Sequence, residues 1–169
     1  MSQFDRAALR DAVSKRTQSA IDDLCALVRH ESLLGNEASA QDWISDKFAA
    51  MGLDVERVKI DISALRDQPG FSPPVIAGYD GRENVVGLHR PKNPTGKSLI
   101  LNGHMDVVPT GPAEQWRFGP FTPHVEDDWI YGRGAGDMKA GIIAYCQALQ
   151  ALHDIGLEPA APVTLQSVI

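Results

Sequence analysis

Two cysteines in 169 residues, Cys25 and Cys146, are too few for a disulfide framework or a zinc ribbon. Both sit among apolar residues at helical spacing, which predicts buried free thiols. No apolar run reaches the length of about eighteen residues that a membrane helix needs, so a membrane partner is not expected. The opening residues, MSQFDRAALR, lack the apolar segment of a secretory signal. Together with the reduced thiols this leads to an expected cytoplasmic location. There is no basic excess either: 16 Lys and Arg face 22 Asp and Glu, for a net charge of -6, which argues against a nucleic-acid partner. Internal repeats and low-complexity tracts are missing too. What remains is ordinary for a globular protein, with 43% hydrophobic and 22% charged residues, and the chain is long enough for one domain with a core.

The hydrophobic periodicity predicts one long amphipathic helix from Phe4 to about His30, carrying Leu9, Val13, Ala20, Leu24, Leu27 and Val28. A second helix is expected to start at a Ser39 cap and run to about Met51, with Trp43, Ile44 and Phe48 inward and Gly52 as its left-handed stop. Alternation from Asp54 to Ile60 predicts a strand. Residues 61–82 lose periodicity among prolines and glycines and read as a surface loop or insertion. Asn84 to His89 is a strand. Ser98 to Val108 is the most apolar strand candidate, expected at the centre of a mostly parallel sheet. A loop from Pro109 to Pro123 carries Trp116, Phe118 and Phe121 as packing residues. Thr122 to Tyr131 reads as a hairpin turning at Asp127-Asp128, Asp137 to about Ile155 as a helix ended by Gly156, and Val163 to Ile169 as a final strand. Helices alternating with strands predict an α/β, three-layer sandwich around a mixed, mostly parallel sheet, with ligands at the carboxyl ends of strands.

Chemistry concentrates at Leu101-Asn-Gly-His104-Met-Asp106 and Gly132-Arg-Gly-Ala-Gly-Asp137. Strand side chains alternate, so His104 and Asp106 point the same way while Met105 points into the core. A neutral imidazole suits a divalent metal, and a nearby carboxylate can fix its tautomer. Asp137 follows a glycine-rich turn and precedes a helix, so its oxygens can cap that helix, face a cation, or bridge two metals. Taken singly, a strand-end His is most often a structural residue and an Asp after Gly a helix cap. Arg133 and Lys139 beside Asp137 either pair with carboxylates or stay solvated. His30, His89, His124 and His153 read as surface or structural, with His30 placed as a cation at a helix end. Gly132-Arg-Gly134 is not a dinucleotide loop, because Asp137 stands where the third glycine would be. Gly96-Lys97-Ser98 is not a phosphate loop, since Pro91 replaces its first glycine and a strand follows.

The segments Gly103-His-Met-Asp-Val-Val-Pro109, Trp116, Pro120-Phe121 and Tyr131-Gly-Arg-Gly-Ala-Gly-Asp-Met-Lys-Ala-Gly141 resemble the M20 family of metallopeptidases and deacylases, which includes acetylornithine deacetylase, succinyl-diaminopimelate desuccinylase, aminoacylase and carboxypeptidase G. The resemblance runs from about residue 15 onward, and Ser32-Leu-Leu-Gly-Asn-Glu37 is similar to the family's opening. It implies that His104 and Asp137 are metal ligands, Asp137 as a bridge between two divalent ions (zinc, sometimes cobalt), with Asp106 as the auxiliary carboxylate at the catalytic centre. It implies hydrolysis of an amide bond in an N-acyl amino acid or peptide, with acetylornithine-type deacylation expected first. Carboxypeptidase or dipeptidase action, or a catalytically dead domain that binds a partner or one metal, are the alternatives. The family's glutamate pair, later acidic and histidine ligands and dimerisation or lid domain have no counterpart here. Residues 1–169 are therefore expected to be the N-terminal part of a zinc-dependent exopeptidase-like catalytic domain of a homodimeric parent, inactive alone and holding at most one metal weakly. The last strand is expected to leave an unprotected sheet edge.

Overall fold

The computed structural model describes residues 5–76 and 78–169. In chain order its elements are α1 (Arg6–Lys15), α2 (Thr17–Val28), α3 (Ala38–Ala50), β1 (Asp54–Lys59), α4 (Ile62–Leu65), β2 (Glu83–His89), β3 (Leu99–His104), β4 (His124–Glu126), β5 (Trp129–Tyr131), α5 (Ala140–Asp154) and β6 (Val163–Val168). The long first helix divides at Arg16, whose φ of -91° and ψ of 0° leave the helical region. The Arg16 guanidinium binds Asp154 and Gln147 on α5, so a long-range ion pair sits where periodicity predicts uninterrupted helix. The expected start at Phe4 lies outside the described residues. Ser39 is not the cap of α3; Glu37 holds that position, and Ser39 Oγ meets His30 Nδ1 at 3.1 Å. Gly52 and Gly156 take φ of +78° and +71° just past α3 and α5, as the sequence predicts. The loop after β1 contains one short helix, α4, capped by Asp61.

The α/β class and the mixed sheet stand, but strand order and direction differ from expectation. The order is β1-β2-β6-β3, and only β3 with β6 is parallel, while β1 with β2 and β2 with β6 are antiparallel. A parallel pair needs a crossover, and α5 supplies one only between β3 and β6. The sheet is therefore not mostly parallel among the described residues. The final strand is not an edge either: β6 lies between β2 and β3, and the free edges are β1 and β3. Ile100 of β3, expected in a central strand, is 61% exposed.

Among the described residues α3 and α5 pack on one face of the sheet. On one face Val85, Gly87, Leu101, Gly103, Val163, Leu165 and Ser167 share the register that looks toward α3 and α5. Gly87 and Gly103 allow the close approach. A Cβ on Gly87 would lie 2.8 Å from Phe48 of α3, and one on Gly103 would lie 2.7 Å from Ile142 of α5. Under these helices sit Leu27, Ile44, Phe48, Met105, Ile142, Cys146 and Leu165, all fully buried. Cys25 is half-buried, and both thiols are free. The other face carries Asn84, Thr164, Gln166 and Asn102 among its side chains, half-buried or exposed, and neither α3 nor α5 packs on it. The β4–β5 hairpin forms at the expected place, turning through Asp127 at φ +53°.

Candidate functional site

His104 closes β3, and the chain then turns so that Met105 enters the core, fully buried, and Asp106 returns to the side of His104. His104 Nδ1 lies 3.0 Å from the Asp106 carbonyl oxygen and 3.2 Å from its Oδ1, while Nε2 lies 3.1 Å from Asp137 Oδ1. The three predicted residues thus meet at the carboxyl end of one strand. They line a cavity of about 170 Å³ with Val107, Val108, Gly132, Arg133, Gly134 and Gly136. Asp137 does not cap α5. It lies in an irregular π-type turn, Ala135–Lys139, with φ of -127° and ψ of 97°, followed by a cis peptide to Met138, and its side chain is 93% exposed. Lys139, not Asp137, occupies the cap position of α5.

The electrostatics follow from this contact. Burial lowers the His104 pKa, but hydrogen bonds with Asp137 and the Asp106 backbone, and then the two negative charges, outweigh it, so the pKa lies above its ordinary value. When Nδ1–H is donated to Asp106, Nε2 carries a lone pair facing a carboxylate oxygen at 3.1 Å. Two such lone pairs need a proton or a cation between them. A histidine anchored through one nitrogen to a carbonyl, with the other aimed at a carboxylate, is the donor chemistry of a divalent-metal ligand. The pair therefore fits part of a metal shell. Among the described residues, no group of three or more His, Cys, Asp or Glu side chains is placed to hold a metal, and no glutamate lines the cavity.

Arg133 and Lys139 follow neither expectation. Arg133 stacks its guanidinium 5.0 Å above Trp116, whose Nε1 donates to Thr110 O. Lys139 is fully buried, and its Nζ donates to Leu27 O at 3.1 Å and His30 O at 2.8 Å. Burial pulls its pKa down to about 8. His30 is not a favoured cation, because burial and then Lys139 lower its pKa. His89 Nε2 meets Pro159 O, and His124 stacks on Phe118.

Two features escaped the sequence reading. Ser32, fully buried, donates from Oγ to Met105 O at 2.7 Å. Glu37 and Arg82, 1% and 8% exposed, form a two-point ion pair that ties the 61–82 loop to the start of α3. Arg82 also lies close enough to feel the charge of Asp106. The segment Ser32–Glu37 marks the residues, but their partners Met105 and Arg82 lie far along the chain and no local pattern names them. A larger apolar groove of about 380 Å³ between α1, α2 and α5 holds Arg16 as its one charged residue and lies away from this chemistry.

Residues 100–168, which hold His104, Asp106 and Asp137, match the profile of peptidase family M20/M25/M40. Over these residues the chain is similar to that family. It is 31% identical over 125 residues to a succinyl-diaminopimelate desuccinylase of Methylobacillus flagellatus, an alignment covering 74% of this chain and 28% of that protein. It is 36% identical over 129 residues to one of Methylorubrum extorquens, covering 76% and 29%. Human carnosine dipeptidase 1 superposes with a TM-score of 0.76 at 18% identity over 95% of this chain and 34% of that one, a likeness of fold. The chain thus spans under a third of the length of these two desuccinylases.

Proposed function

We propose that residues 1–169 are part of the catalytic domain of a metal-dependent amidohydrolase that removes an acyl group from an N-acyl amino acid. The observation that carries this is the 3.1 Å approach of His104 Nε2 to Asp137 Oδ1 at the end of β3, inside the M20 segment. In this reading His104 and Asp137 would hold the metal, with the Asp137 carboxylate exposed on its turn. Asp106 fixes the His104 ring by taking its Nδ1–H, which keeps the Nε2 lone pair forward. A divalent ion such as zinc, when bound, polarises the scissile carbonyl and a water molecule. Val107 and Val108 are the apolar side chains lining the cavity. The remaining ligands and the general base come from side chains other than those lining this cavity. The 169-residue chain alone is therefore expected to turn over no substrate and to bind metal weakly.

The desuccinylase relatives make an N-succinyl amino acid the first substrate to test, beside N-acetyl amino acids and dipeptides. The experiment measures hydrolysis of this panel by the purified protein together with its zinc content. His104→Ala and Asp137→Asn are expected to abolish bound zinc and any turnover the unaltered protein shows, while circular dichroism stays unchanged. Turnover or zinc content that survives both substitutions removes the proposal. Cleavage of dipeptides in preference to acyl amino acids would move the reading to the peptidases.

A further inference from the structure

Residues 27–33, the end of α2 and the turn after it, touch both segments that carry the candidate ligands. On one side Lys139, two residues beyond Asp137, reaches through the core and donates to Leu27 O and His30 O. Leu27 O already accepts from His30 N at 3.2 Å and His30 O from Ser32 N at 2.8 Å; a compact ammonium with several donors takes the second lone pair of each, at the negative end of the α2 dipole. Lys139 makes no ion pair among the described residues, so its partners are these carbonyls alone. On the other side Ser32 Oγ donates to Met105 O, Val107 N donates to Ser32 O at 2.8 Å, and Leu33 pairs with Val107 in a parallel bridge. Met105 and Val107 flank Asp106 and follow His104 directly.

Glycines bring the parts into contact. A Cβ on Gly132 would lie 2.6 Å from Val28 Cγ1, so the Asp137 turn leans on α2. Gly134, at φ +78°, has no room for a Cβ against Val107, so the two ligand-bearing turns also touch each other. Leu27, Val28, Ser32, Met105 and Lys139 are all fully buried.

We propose that residues 27–33 are a common bracket, with Lys139 and Ser32 as positioning residues that set the separation of His104 and Asp137. This rests on the reading of those two residues as metal ligands. The bracket acts through fixed backbone: Lys139 holds the Asp137 turn, Ser32 holds the His104–Asp106 turn, and both hang from the same piece of α2. A residue that only filled the core would raise overall stability without controlling the ligand pair.

The test uses Lys139→Met, which keeps the buried stem and removes the ammonium, and Ser32→Ala. Hydrogen exchange is measured on the metal-free protein, and cobalt(II) binding is followed by its visible absorption. Lys139→Met is expected to speed exchange of the amides of 133–138, and Ser32→Ala those of 104–108, with β2 and β6 unchanged. Each is expected to weaken cobalt binding about 10–100-fold, the size of loss seen when a group supporting a metal ligand is removed. Should Lys139→Met fail to fold, Ser32→Ala decides by the same two readouts. Unchanged turn exchange and cobalt affinity beside a lowered melting temperature would overturn the bracket and leave Lys139 and Ser32 as core residues. Should the unaltered protein bind no cobalt, as its incomplete ligand set allows, the metal-free exchange decides the bracket by itself.

Discussion

In β6, Val163, Leu165 and Ser167 are buried beneath α3 and α5, while Thr164, Gln166 and Val168 stay half-buried on the opposite side of the same strand. The contrast continues across the sheet. On the covered face two glycines let Phe48 and Ile142 press against the backbone. On the open face Asn102 Nδ2 donates to Gln166 Oε1, and Arg90 forms ion pairs with Asp54 and Glu56 in full view of solvent. Charge is divided likewise, for the buried Glu37–Arg82 pair sits at the start of α3, the helix that covers the first face. The lesson is that one strand can carry the core and a polar surface at once, and that His104, at the open-face register of β3, is held by neighbours of the core it does not enter.

The sharpest way to break this comparison is to cut each face in turn. Leu165→Ala is expected to cost about 2–5 kcal/mol, through lost burial and a cavity, whereas Thr164→Ala, its neighbour, should stay within about 0.5 kcal/mol. Urea unfolding of the two variants decides it, and equal costs would mean the faces are not distinct. Next comes the charge. Burial raises the Glu37 pKa, but hydrogen bonds from Arg82 and the Gly35 amide outweigh it and hold it below the ordinary 4.5. A depressed carboxyl pKa contributes stability that is present above 4.5 and lost as pH falls through the folded value. Glu37→Gln should therefore cost about 1.5–3 kcal/mol at neutral pH, and the gap from the unaltered protein should close in acid. Glu56→Gln on the open face should cost at most about 1 kcal/mol. A gap for Glu37→Gln that widens in acid would contradict the sign. Gly103→Val should cost about 1–3 kcal/mol for overpacking against Ile142. A thermal melt that rises for this variant would show that α5 has slack over β3.

Legibility divided along the same physical line. The period-two pattern of β6 was plain, as were the glycine stops after α3 and α5 and the hairpin turn at Asp127. Each is encoded within a few residues by side-chain alternation or by a positive φ. The gathering of His104, Asp106 and Asp137 at a strand end was expected from motif and strand polarity, and the structure places them in contact. What was misjudged is long-range. Periodicity ran straight through Arg16 because its partner, Asp154, is on another helix. Asp137 looked like a helix cap because its sequence neighbours allow one, yet the backbone there is not helical. Lys139 is expected from its neighbours either to pair with a carboxylate or to stay solvated, and only the carbonyls of residues 27 and 30 reveal its acceptors.

The sequence by itself determined the donor types, their spacing, the faces of each strand and the points where helices stop, because these are local consequences of side-chain shape and backbone freedom. Tertiary structure alone decided that β6 runs inside the sheet, that one face is covered, and that Lys139 and Ser32 close on residues 27–33. Those outcomes join groups as far apart in sequence as Lys139 and Leu27, 112 residues away. Such pairings are chosen by competition among burial, hydrogen-bond satisfaction and loop closure over the whole chain, which no local pattern records.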